Sequence, residues 1–129
     1  MNMNRIVRYM ATRNEQPYLR NYLLKKYPHV CCICNKFFPK FVLECAHIIP
    51  RAQICSSKYK DINNVMLLCR NCHKIFDKGC VGVDNNILLF SDDIKTYEDL
   101  NVKDRHFEYI TKDNLKYFNY HFNNIYKNK

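Results

Sequence analysis

Glycine is scarce in this chain of 129 residues, with two in all, and acids are short as well, 12 Asp and Glu against 21 Lys and Arg. So little glycine, beside ten tyrosines and eight phenylalanines, excludes a linker-rich or disordered polymer and leaves a packed unit. The chain has no internal repeat and no low-complexity tract. The amino terminus, MNMNRIVRYMATRN, lacks an apolar run of signal-peptide length, and no later segment is long enough to span a bilayer. The expectation is an intracellular protein, in cytoplasm or nucleus, with no membrane partner. A chain of this length is most economically one domain, whose modest core invites a staple. The net charge of +9 makes a polyanion, nucleic acid first, the leading class of partner.

Cysteine is the exception to this economy, at eight residues. In a reducing compartment they point to metal ligation or buried thiols, not disulfides. Cys31 with Cys34 and Cys69 with Cys72 form two C-x2-C pairs, each able to bring two thiolates to one point through a tight turn. Four thiolates make a closed tetrahedral site, suited to structural zinc. In small zinc modules such binding contributes roughly 10 to 16 kcal/mol, all of it folding energy. Cys32 points elsewhere in such a turn. Cys45, Cys55 and Cys80 have no partner at ligand spacing and read as ordinary small residues.

The remaining pattern predicts an α+β fold. Residues 1 to 15 read as a loose polar arm. Pro17 to Tyr27 has helical spacing, with Pro17 suited to a first turn and Pro28 to a stop. Phe41 to Ile49 reads as a strand in which Leu43, Cys45, His47 and Ile49 share one face and Glu44, Ala46 and Ile48 the other. Arg51 to Asn63 reads as a loop. Val65 to Leu68 is a short strand pairing back on the first, and Asn71 to Lys78 is a helix stopped by Gly79. Two short strands flank a turn at Asp84, Asn85 and Asn86. Ser91 to Asp104 is a polar connection. Thr111 to Tyr126 closes the chain as a helix capped by Thr111, with Leu115, Phe118, Phe122 and Ile125 on one stripe.

The stretch from Glu44 to Gly79 holds the chemistry. Hydrolysing a phosphodiester takes a base to deprotonate water, a cation to neutralise phosphate and leaving oxygen, and something to orient the base. A neutral imidazole accepts a proton readily near pH 7, so His47 is the candidate base. Asn64 can hold it by offering its amide oxygen to the other ring nitrogen. His73 and Asp77, four apart on the predicted helix, share a face and can share one ion with open positions for water and phosphate. Mg2+ or Mn2+ suits a carboxylate and phosphate oxygens, while the imidazole leaves Ni2+ or Zn2+ open. Each residue alone has an ordinary structural explanation: His47 in a core, Asn64 in a turn, Asp77 solvated at a helix end. The ordered set is what points to chemistry. Arg51, Lys58, Lys60, Arg70, Lys74 and Lys78 lie where phosphates would be held, although each can equally be a solvated charge.

The residues ECAHIIP, NNVMLLCRNCH and the four-cysteine set resemble the HNH, or ββα-metal, endonuclease family. More narrowly, LECAHIIPRA, NNVMLLC and CHKIFDKGCVGVD look like its restriction-endonuclease branch, where AHI-P, N-x-L-L and H-x-x-F-D-x-G recur. NLKYFNYHFNNIY is similar to that branch's closing segment, so the likeness covers roughly Tyr22 to Tyr126. The resemblance implies a ββα-metal core over about 30 to 90, flanked by N- and C-terminal helices at about 17 to 27 and 111 to 126. It further implies His47 as general base, Asn64 as the middle motif residue and His73 as metal ligand, cleaving double-stranded DNA to 5′-phosphate and 3′-hydroxyl ends. Ala46 stands where the commonest pattern has an acidic ligand. Asp77 is the expected replacement and Glu44 the second choice, because Glu44 lies two residues back, about 6.6 Å along a strand, unless the strand bulges.

Two rival readings stay open: a zinc-stabilised module that binds nucleic acid without catalysis, and an enzyme acting on RNA or branched DNA. Cutting both strands would call for a homodimer or two successive nicks. The abundance of Asn, Lys, Tyr and Ile suggests an AT-rich genome, of a virus or mobile element.

Overall fold

The computed structural model describes residues 17–54 and 60–128. The amino-terminal arm and two residues of the predicted loop that matter here, Cys55 and Lys58, lie outside the described residues.

Helix α1 spans 17–26 and buries Leu19 and Leu23 completely, one turn apart on its inner face. On its outer side Arg20 ties the helix to the chain entering the first strand. Its Nε donates to the carbonyl of Leu43 at 3.0 Å, and its Nη2 donates to that of Lys40. Lys40–Val42 forms a 3-10 turn, so the strand begins later than expected, and β1 runs Leu43–His47. It pairs antiparallel with β2, Val65–Cys69, in an unbroken register from Leu43 opposite Cys69 to His47 opposite Val65. Both strands are almost wholly buried, which explains why their sequences are near-continuously apolar instead of alternating.

Helix α2, Arg70–Asp77, follows β2 without a loop, with Cys69 as its extended N-cap residue. Gly79 stops it as expected. The left-handed φ of +77° lets the amide of Gly79 donate to Phe76 at 3.0 Å and that of Cys80 to Ile75 at 3.1 Å, the paired bonds of a Schellman motif. β3, Val81–Asp84, and β4, Ile87–Phe90, form the expected hairpin. Asn85 and Asn86 both take positive φ at 51° and 63°, as a two-residue turn of this hand requires.

The predicted polar connection is more structured than its composition suggests. It contains α3, Asp92–Lys95, and a 3-10 turn at Glu98–Leu100, and it leads into β5, Arg105–His106, which adds a third strand beside β4. Helix α4, Leu115–Asn124, packs on β3. Thr111 and Asn114 exchange side-chain to backbone bonds ahead of it, so Thr111 does serve the start of the helix. The expected stripe is rotated, however. Asn114, Tyr117, Phe118 and His121 face inward, while Leu115 is exposed. Tyr and His carry enough ring surface to fill this face, and burying their rings against β3 and Phe76 outweighs burying Leu115.

Both glycines of the chain serve the segment after α4. A Cβ on Gly79 would stand 2.4 Å from the carbonyl oxygen of Ile125, and one on Gly82 would stand 2.7 Å from Cγ of Tyr126. The amide of Lys127 donates to Gly79 at 3.0 Å, so the chain's last described residues are laced to the end of α2.

Candidate metal centre and active site

The four cysteines converge as predicted. The sulfurs of Cys31, Cys34, Cys69 and Cys72 all lie within 4.8 Å of one another, against about 3.8 Å for a tetrahedron of thiolates around zinc. The first pair sits in a tight turn where the Cys34 amide faces Cys31 Sγ at 3.5 Å and Asn35 adopts φ 60°. The second pair brackets the start of α2. The carbonyl of Leu67 accepts from the amide of Cys32 at 3.0 Å, which docks the first turn on β2. Hydrogen bonds from Cys31 and Cys72 hold the Cys34 thiol down at about 3, while contacts with Cys31 and Cys34 drive Cys72 up. Four sulfurs crowded in this way have to share protons or a cation. Cys32 behaves oppositely: burial pushes it up to about 12, and it takes no part in the cluster, as expected. The site can hold a structural zinc ion.

A second cluster forms where α2 crosses β1. His73 lies between two carboxylates. Its Nδ1 donates to Glu44 Oε1 at 2.8 Å, and its Nε2 stands 3.3 Å from Asp77 Oδ2, one turn along the helix. In the neutral tautomer that donates Nδ1–H to Glu44, the Nε2 lone pair faces a carboxylate oxygen. Two acceptors at that distance repel unless a proton or a cation lies between them. His73 and Asp77 are 24% and 51% exposed, so water and phosphate can reach the gap. This donor set fits a catalytic divalent ion held by His73 and Asp77.

β1 has no bulge, yet Glu44 touches His73, because α2 crosses the strand at this residue and brings its imidazole to the carboxylate. Burial raises the Glu44 carboxyl, but the bonds from His73 and Arg70 outweigh it and leave it below the ordinary range. Asp77 is shifted the other way: burial raises it, against the opposing pull of His73, Lys74 and His47.

His47 ends β1 and is 9% exposed. It lies close enough to Asp77 for its charge to pull on that carboxyl, which brings the candidate base and the candidate ion site together. Asn64 corrects the expectation. Its amide, fully buried, does not serve the ring: Oδ1 accepts from the Ile49 amide at 2.9 Å and Nδ2 donates to the Ile49 carbonyl at 3.2 Å. With the bond from the Ile48 amide to the Asn64 carbonyl at 2.8 Å, it clasps the chain just beyond His47 and positions it through the backbone.

Arg70, expected at phosphate, has its Nε on Glu44 Oε2 at 3.1 Å, though the side chain is 81% exposed. Lys60, Lys74 and Lys78 are exposed and Arg51 is half-buried. Sequence reasoning missed His121. Its ring stacks on Phe76 at 3.9 Å and 8°, beneath the residue that precedes Asp77, and burial lowers its pKa to about 4. Its one sequence signal was its place seven residues after Asn114 on the buried face.

A strand hairpin crossed by a helix, with an imidazole on the strand and an imidazole and carboxylate on the helix, is the arrangement expected of an HNH nuclease domain. In agreement, residues 31–84 match the family model of HNH endonucleases, and this segment belongs to that family. The family is one of nucleases, so nucleic acid is the substrate class its fold serves. No curated protein matches the chain significantly. Among the described residues no helix is long and apolar enough to cross a membrane.

Proposed function

We propose that this chain is a metal-dependent endonuclease that hydrolyses phosphodiester bonds in double-stranded DNA. The supporting observation is the opposed pair of acceptors, His73 Nε2 and Asp77 Oδ2, on an accessible helix face within electrostatic reach of His47. When bound there, a divalent ion, Mg2+ or Mn2+ first, supplies positive charge to the scissile phosphate and the departing oxygen. Glu44 accepts from Nδ1 of His73 and fixes the ring so that Nε2 stays turned to the gap. His47 takes a proton from the water that attacks phosphorus, the bond to the 3′ oxygen breaks, and that oxygen takes up a proton from solvent, leaving 5′-phosphate and 3′-hydroxyl ends. The Asp77 carboxylate nearby favours the imidazolium so formed. Arg51, Lys60, Lys74 and Lys78 place the backbone phosphates without reading sequence. Zinc on the four thiolates is scaffold.

Nicking of supercoiled plasmid with and without added Mg2+ or Mn2+ tests this. His47→Ala is expected to lower the rate by at least about 100-fold with zinc content and circular dichroism unchanged. Nicking at the wild-type rate would remove His47 from the role of base. DNA binding with no cleavage by the wild type under any ion would instead favour the module that only binds.

A further inference from the structure

We infer that the cleft on the far side of α2 from His73 and Asp77 is a pocket for one unpaired nucleotide of the nucleic-acid substrate. It rests on the reading of the chain as a nucleic-acid enzyme and adds a substrate class, nucleic acid with an extrahelical or single-stranded nucleotide beside the cut. The cavity, about 350 Å³, lies between the first cysteine turn, α2 and the segment leading into β5, and has the candidate zinc ligands Cys34, Cys69 and Cys72 in its wall. Pockets that enclose small ligands begin at about 300 Å³. Its apolar wall, with Phe38, Ile75 and Leu100, offers a surface for a planar base. Lys36, Lys103 and Arg105 supply three cations for the attached phosphate. Lys36 and Lys103 are exposed, so their ammonium groups are free to meet a phosphate at the mouth. Asp99 and Asn101, also in the lining, carry the acceptor and donor groups that pair with a base edge. Phe37, between two lining residues in sequence, has a ring 80% exposed, an uncovered stacking surface beside the mouth.

Helix geometry gives the distance. Ile75, in the cavity lining, lies about 160° around α2 from His73, so pocket and ion site are separated by a helix's width, about 10 to 12 Å. Along a stacked strand that is about three nucleotides.

The test is binding by zinc-loaded His47→Ala protein without added Mg2+, using a fluorescein-labelled duplex with one extrahelical adenosine and the same duplex fully paired. Expected is a preference of about tenfold for the first, the scale of stacking one base. Leu100→Trp, which fills the cavity, should abolish the preference and leave affinity for the paired duplex unchanged. Lys103→Glu, an exposed site that spares the core, should abolish the preference as well, while its reversed charge lowers the affinity for both duplexes. Deoxyadenosine monophosphate should compete at concentrations where inorganic phosphate does not. Equal binding of the two duplexes, a preference that survives both substitutions, or equal competition by phosphate alone would overturn the proposal. Because the readout is binding by a variant with its proposed base removed, loss of the nuclease reading and loss of this one are separately visible.

Discussion

Asn64→Ala separates two ways in which this residue can serve His47. The amide is fully buried and makes two bonds to Ile49, at 2.9 and 3.2 Å, to a residue itself 8% exposed. Truncation strands one donor and one acceptor of the Ile49 backbone, and each buried unsatisfied group costs about 1 to 3 kcal/mol, so the loss is about 2 to 6 kcal/mol. A chain of this size has an unfolding entropy near 0.27 kcal/mol/K, which converts the loss to a fall in Tm of about 7 to 22 °C. Thermal and urea unfolding at fixed excess zinc measure it. Nicking should fall too, because the chain carrying His47 is no longer anchored. Asn64→Asp keeps the acceptor for the Ile49 amide but can donate to the Ile49 carbonyl only when protonated, so its stability should fall as pH rises through the carboxyl's pKa. A variant with wild-type Tm and lost activity would refute the clasp and return Asn64 to direct service of the imidazole ring.

The remaining expectations concern the two ion sites and the buried histidine. Asp77→Ala should raise the Mg2+ or Mn2+ concentration needed for half-maximal nicking far more than Glu44→Ala; the reverse order would make Glu44 the ligand. Cys72→Ser should lose its zinc, measured as metal per chain, and unfold, since structural zinc contributes roughly 10 to 16 kcal/mol where the net stability of a domain is about 5 to 15; a folded, metal-free Cys72→Ser would refute it. His121 takes up its proton at about 4 in the folded chain and near 6.5 when unfolded, so between these values the unfolded chain holds more protons. Its contribution is therefore complete above pH 6.5 and falls by up to about 3 kcal/mol as pH drops to 4. His121→Gln should flatten that part of the urea-midpoint profile relative to the wild type, and an unchanged slope would show that His121 is not its source.

Local signals carried most of the architecture. The second C-x2-C announced the start of α2, Gly79 its end, and Asn85-Asn86 the hairpin, because each feature is fixed by residues adjacent in sequence. What failed was set by packing at long range. The inward face of α4 is chosen by Phe76 and β3, more than 30 residues away from Phe118, and no periodicity within α4 distinguishes that face from its neighbour. Likewise, the crossing of α2 over β1 places Glu44 on His73, a fact that spacing along one strand cannot supply. Asn64 was legible as important and misread in its partner, since an amide in a motif does not show whether backbone or ring completes it.

Cys72 and His73 are consecutive residues, one pointing to the sulfur cage and the other to the reaction gap. On the proposed function, a chelator added to stop the reaction would thus empty both stations, and the quenched mixture would look the same whichever loss silenced it. The order of rescue tells them apart: magnesium returned alone revives only protein whose cage was spared, and zinc has to come first once the helix between the two has come undone.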